Sequence, residues 1–155
     1  MSEPPLLIQI DQFCARIDQR PCNGCDGCGA RCTTGVPMLR SEFLAIEAEL
    51  DRLPAADRDR VLSQEKRVAV PGSDYYYTAC RFRDVEHGRC LIYPARPAIC
   101  RLFGHVEWLP CPIGMIEHPV PGAPELMRRY ATEPRKTYEE WLDEEGSSVK
   151  RQTSR

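Results

Sequence analysis

Residues 22 to 32, "CNGCDGCGARC", place four cysteines in eleven positions with the spacing C-x2-C-x2-C-x3-C. Four thiols held this close must be paired as disulfides or must share a metal. The stretch around them, rich in Gly24, Gly27, Gly29 and Gly35, favours tight turns over helix. A C-x2-C turn sets two sulfurs on one side of a loop, close enough for a metal bonded to sulfur at about 2.3 Å.

Compartment decides between the two chemistries. The opening "MSEPPLLIQIDQF" carries Glu3 and Asp11 and only a short apolar run, so it fits neither a secretory signal nor a membrane span. A cytosolic location is expected, and there thiols are kept reduced. The nine cysteines of the chain also cannot all pair. Setting Cys14 aside leaves eight, two groups of four, and four is the ligand number of a structural zinc or of a cubane cluster. Metal is the reading preferred over disulfides.

The run Cys22, Cys25, Cys28 and Cys32 has the spacing with which bacterial ferredoxins wrap a four-iron four-sulfur cluster, although Thr33 stands where those have proline and no second copy follows. Zinc sites more often use two separated pairs. Further ligands must come from afar, and Cys80, Cys90, Cys100 and Cys111 recur at intervals of ten or eleven. The fold must bring them together. Around Cys100 stand Arg96 and Arg101, and Tyr93 lies just upstream. Four thiolates on a dication sum to about −2, which is costly to bury without positive neighbours. The two arginines suit that task, and with Tyr93 they are the residues expected to border the centre.

Organisation along the chain points to a small α+β domain, mostly helical, with a short β-hairpin and an irregular cysteine-rich centre stapled by metal. At 155 residues a single domain over 1–145 is expected, with 146–155 as a disordered tail lacking apolar periodicity. Leu6, Leu7, Ile10, Phe13, Cys14 and Ile17 repeat at helical intervals until Pro21, which makes Cys14 a core residue. Ser41 is expected to open a second helix, broken near Pro54 and resumed over 55–65. "KRVAV" and "YYYTAC" flank a turn at Pro71 to Asp74, and "RCLIY" after Gly88 reads as another short strand. Pro97 fits the start of a helical turn over 98–103. Two further short helices are expected over 125–130 and 138–145.

Here a family becomes recognisable. "CNGCDGC", then "CRF...HGRCLIYPARPAICRLF" and a last cysteine, resembles the YkgJ-type cysteine-cluster proteins, a family described as zinc- or iron-chelating, over roughly residues 22 to 112. The resemblance implies metal chelation through these cysteines, with Glu42 or Glu47 as the acidic helix residue. It also implies that Cys80, Gly88, Cys90, Ile92 and Tyr93, with Arg96, Pro97, Cys100 and Arg101, form the later elements. Flagellin lysine methylases, related to that family, carry such a cluster, which favours iron-sulfur. This chain departs at Gly29, where the family has a fourth cysteine adjacent to the third; Cys32 follows instead.

Other residues carry weaker signals. His105, between Cys100 and Cys111, is the histidine best placed to replace a cysteine ligand, with His87 and His118 behind it. Tyr75 to Tyr77 could stack on bases, but strand alternation makes core positions the simpler expectation. A net charge of −2 gives no basic face for nucleic acid or an anionic membrane. No phosphate loop, dinucleotide fingerprint or fixed Cys/His pair supports an enzyme. The expected protein is therefore an iron-sulfur electron carrier or accessory subunit, four-iron four-sulfur favoured, meeting a protein or redox partner. A zinc-stabilised interaction module, or a metal chaperone, is the alternative.

Overall fold

A computed structural model describes residues 2–20, 32–116 and 120–145. It is an α+β fold of short elements: helix α1 Leu6–Cys14, strand β1 Met38–Leu39, helices α2 Arg40–Arg52 and α3 Ala55–Leu62, and strands β2 Arg67–Ala69, β3 Tyr76–Thr78, β4 Arg83–Asp84 and β5 Arg89–Cys90. A 3-10 turn, Tyr93–Ala95, leads into α4 Ala98–Leu102, strands β6 His105–Val106 and β7 Leu109–Pro110, α5 Ala123–Thr132, β8 Arg135–Lys136 and α6 Tyr138–Glu145. The strands form four two-stranded antiparallel pairs: β1 with β8, β2 with β3, β4 with β5, and β6 with β7. The first pair joins residues almost a hundred apart. Among the described residues no helix is long and apolar enough to cross a membrane.

Two apolar clusters hold these pieces. The first joins Ile10, Phe13, Cys14 and Ile17 of α1 and its exit to Leu39, Ala98, Leu102, Val106, Leu126 and Tyr130. The second joins Met38, Phe43, Ile46 and Leu50 to Phe82, Ile92, Tyr138 and Trp141, with Cys80 and Cys90 packed at its edge. Phe43 packs against both Tyr138 and Trp141, and Phe82 meets Tyr138 edge to face with centroids 4.9 Å apart. The cysteine-bearing loops therefore rest on an aromatic floor.

Helix α2 links the two clusters through a buried acid. Leu39, at its N-cap, has no side-chain acceptor, and Glu42 turns back to take the Leu39 N–H at 2.9 Å. The same carboxylate accepts from the Ala98 N–H at 2.5 Å and the Tyr130 hydroxyl at 2.5 Å, at 3 % exposure. Three elements, α2, α4 and α5, are thus tied at one side chain. One turn on, buried Glu47 accepts from the Tyr138 hydroxyl, and burial pushes its carboxyl upward.

Several sequence expectations need correction. Helix α2 starts at Arg40 rather than after a Ser41 cap, because Glu42 performs the capping from inside. α1 ends at Cys14, before Pro21, yet Ile17 stays buried. "RCLIY" is a strand only at Arg89 and Cys90, after which the chain enters the 3-10 turn at Tyr93–Ala95. Tyr75 and Tyr76 are not core: they are 77 % and 54 % exposed on the hairpin, where the Arg67 guanidinium lies 4.0 Å from the Tyr76 ring centroid. The 146–155 tail lies outside the described residues.

Candidate metal centre

Backbone pairing sets the first two sulfurs. Thr33 bridges Ala79 in antiparallel fashion, flanked by Thr34 N–H to Thr78 carbonyl at 3.3 Å and Cys80 N–H to Cys32 carbonyl at 2.9 Å. In that register Cys32 and Cys80 stand directly opposite, so both side chains leave the ladder on one face. Their thiols share a hydrogen bond, which raises the Cys32 thiol and lowers that of Cys80. The Phe82 N–H also donates to the Cys80 sulfur, favouring thiolate.

The third sulfur repeats this local design. Cys90 lies opposite Arg83 in the β4–β5 pair, and its sulfur accepts from the Ile92 N–H two residues on. The turn before it needs Gly88, whose φ of 63° lies where a side chain is strained. Asp84 clasps that turn: its buried carboxylate accepts from Arg60 and Gln64 at 2.9 Å each, faces His87 Nδ1 at 2.8 Å, and takes the Glu86 and His87 backbone N–H groups. The Arg60 guanidinium, above all, holds this carboxyl well below the usual range.

Cys100, third residue of α4, supplies the fourth sulfur. Desolvation by burial, with a smaller push from neighbouring thiols, raises Cys90 to about 11 and Cys100 to about 12. Cys32, Cys80, Cys90 and Cys100 are therefore mutual electrostatic neighbours. Cys32, Cys90 and Cys100 resist ionising alone, whereas Cys80, held low by its hydrogen bond from Cys32, ionises more readily; a shared cation would draw all four into thiolate. The donor set fits a thiolate-bound metal on chemical grounds.

Positive charge surrounds the group unevenly. Arg96 stacks on Tyr93 with 3.8 Å from guanidinium carbon to ring centroid and donates to the Tyr93 carbonyl at 3.0 Å. Its charge favours thiolate at both Cys90 and Cys100. Tyr93 itself is half exposed, its hydroxyl 3.4 Å from Gln19 Oε1. Arg101 faces elsewhere, pairing with Asp11 at 2.5 Å beside Cys14, because adjacent helix residues project in different directions.

Cys111 sits after β7, beside Gly104, where backbone N–H groups of Ile113 to Ile116 lower its thiol. Cys14 is buried in the first cluster, its thiol raised by desolvation. Cys22, Cys25 and Cys28 lie outside the described residues, as does His118. His105 is buried in β6, its ring shifted down by desolvation and by Arg96.

One participant escaped the sequence reading. Lys66 is a lone lysine before a strand, and nothing in the pattern around it marks it. Its ammonium nevertheless donates to the Arg83 carbonyl at 2.6 Å and the Val61 carbonyl at 2.7 Å, and its charge favours thiolate at Cys80. Glu42 is one of the two acidic helix residues that the resemblance implies, but its partners Ala98 and Tyr130 are too distant in sequence to read.

Among the described residues, Asp84, Glu86 and His87 form the group of three His, Cys, Asp or Glu donors that lie within 4.8 Å of one another. Arg60 and Gln64 already occupy Asp84, which makes this a turn clasp. No three of the described sulfurs lie within that distance of one another.

Comparison with curated proteins and with solved structures gives no match. A family model described as "CxxCxxCC: Putative zinc- or iron-chelating domain" matches residues 24–141, well over half of the chain and every cysteine discussed above except Cys14 and Cys22. With its gathered thiols and this extended match, the chain belongs to the CxxCxxCC family of metal-chelating domains.

Proposed function

We propose that this metal-binding domain carries an iron-sulfur cluster, of the four-iron four-sulfur kind, and serves as an electron carrier or accessory subunit. The observation that carries the reading is the gathering of Cys32, Cys80, Cys90 and Cys100, with Cys32 closing the ferredoxin-spaced run. Four thiolates on one tetrahedral zinc ion would stand about 3.8 Å apart, given bonds of about 2.3 Å. A cubane takes one thiolate at each of four irons and so accepts a wider donor set, which agrees with sulfurs not grouped within 4.8 Å. Cys22, Cys25 and Cys28 add further thiolates a few residues upstream of Cys32.

When bound, such a cluster supplies one-electron chemistry. The chain's own residues hold it: amides of Phe82 and Ile92 donate to sulfur, Arg96 offsets negative charge, and the Phe43, Phe82 and Tyr138 floor excludes water. The protein partner would be a redox partner. A cytosolic location agrees with reduced thiols.

Zinc is the second reading, as the centre of an interaction module without redox chemistry. Its support is that Cys32, Cys80, Cys90 and Cys100 are free thiols equal in number to the four that a closed structural zinc site takes. Anaerobic purification followed by iron, acid-labile sulfide and zinc analysis tests both. Brown protein with matched iron and sulfide is expected; colourless protein with stoichiometric zinc and no sulfide would sink the cluster and leave the zinc module.

A further inference from the structure

The backbone sets Cys32 and Cys80 face to face. Thr33 bridges Ala79, and the Cys80 N–H donates to the Cys32 carbonyl at 2.9 Å, which carries the register one residue further on. Residues opposed across an antiparallel pair keep their Cα atoms about 4.5–5.5 Å apart, with both side chains on one face. A disulfide spans Cα separations of about 4.4–6.8 Å. The first range lies inside the second, so these sulfurs can be joined without moving the main chain. Their shared hydrogen bond already holds them side by side.

Among the described residues no other two cysteines stand opposite one another on a ladder. Cys90 lies opposite Arg83, Cys100 sits on α4, Cys111 packs beside Gly104, and Cys14 is buried in the first apolar cluster. Cys32 and Cys80 are both free thiols and only partly buried, which leaves a small reagent access to them.

We propose that Cys32 and Cys80 form a thiol–disulfide site, oxidised by a low-molecular-weight disulfide such as glutathione disulfide, and that a metal on these sulfurs and the bridge between them exclude one another. The exclusion rests on the metal-centre reading; the pairing rests on the ladder alone. One protein thiolate attacks glutathione disulfide, forming a mixed disulfide and releasing one glutathione. The second protein thiolate then displaces the other glutathione and closes the Cys32–Cys80 bond. In all, the two protein thiols give up two electrons and two protons, and glutathione disulfide takes them to become two glutathione molecules. Main-chain closure keeps the second thiol beside the mixed disulfide, which favours this intramolecular step. Because thiolate is the metal ligand, the bridge removes two of the four gathered donors.

The full chain, reduced and freed of metal by a chelator, is mixed with glutathione disulfide, quenched with a maleimide at intervals and mapped by peptide mass spectrometry. The readout is the fate of Cys80. It is expected to be joined to Cys32, and Cys80→Ser is expected to stop at a mixed disulfide on Cys32. Cys80 joined to another cysteine, held as a lasting glutathione adduct, or left as thiol overturns the pairing, as does a Cys80→Ser chain that bridges Cys32 elsewhere as fast as the parent forms its bridge. Zinc added beforehand should slow the bridge by about tenfold or more, since a metal-bound thiolate is poorly available for attack. A Cys32–Cys80 bridge that forms equally fast with zinc present overturns the exclusion and removes these sulfurs from the metal centre, while the pairing itself stands.

Discussion

Glu42 offers the sharpest quantitative test of how the scaffold is held, because a single buried carboxylate with three donors joins α2, α4 and α5. Glu42→Gln keeps the shape and replaces one acceptor oxygen by a donor NH2. If the NH2 takes the position of Oε2, it meets the Ala98 N–H. If it takes the position of Oε1, the Tyr130 hydroxyl can rotate to accept, but the Leu39 N–H cannot. Either way one buried backbone N–H is left without a partner, at a cost of about 1–3 kcal/mol. Lost attraction between the carboxylate and the α2 N-terminus adds about 0.3–1 kcal/mol. The expected total is about 1.3–4 kcal/mol. Tyr130→Phe removes one charge-assisted bond and should cost about 1.5–3 kcal/mol. The two are expected to be non-additive, since the tyrosine matters only through the carboxylate it serves. Urea denaturation followed by tryptophan fluorescence, with Trp141 buried as reporter, measures each variant and the double variant. A Glu42→Gln variant within about 0.5 kcal/mol of the parent at unchanged urea slope would refute the reasoning, because no arrangement of the amide satisfies all three donors.

Three further outcomes follow from the same geometry. Cys100→Ser and Cys25→Ser are expected to lose metal, whereas Cys14→Ser should keep it and cost only about 1–3 kcal/mol for a hydroxyl buried in the first cluster; metal analysis of purified variants decides. Because the folded carboxyl of Asp84 lies below its ordinary value of 3.8, its clasp contributes stability that is complete above that value and is lost as pH falls towards the folded one. Asp84→Asn should flatten the acid limb of a stability-against-pH curve, and an unchanged limb would count against the clasp. Glu47 has the opposite sign: burial raises it above its ordinary 4.5, so its contribution is complete below that value and declines as pH rises through the folded one. Glu47→Gln should remove that decline, measured by thermal unfolding between pH 4 and pH 8, a range of about four units chosen around the ordinary carboxylate values.

Much of the fold was legible because it depends on near neighbours. The spacing of Ile10, Phe13 and Cys14 gives the buried face of α1, and Pro71 to Asp74 gives the β2–β3 turn. The cysteine pattern demanded convergence of distant sulfurs, and Cys32, Cys80, Cys90 and Cys100 do neighbour one another. What stayed hidden depends on partners far along the chain. Ser41 looked like a cap only because Glu42 bending back to Leu39 leaves no mark in composition. Tyr75 and Tyr76 looked like core because alternation says which residues share a face but not whether anything covers it. Arg96 and Arg101 both stand close to Cys100 in sequence, yet Asp11 claims one of them.

The ladder that sets Cys32 against Cys80 has a kinetic meaning. Main-chain hydrogen bonding has already closed the long loop between these positions, so the entropy of that closure is borne by folding and not by the incoming ion. A cation arriving at this edge would meet two sulfurs already set side by side and would need no search through chain conformations to bring those two together.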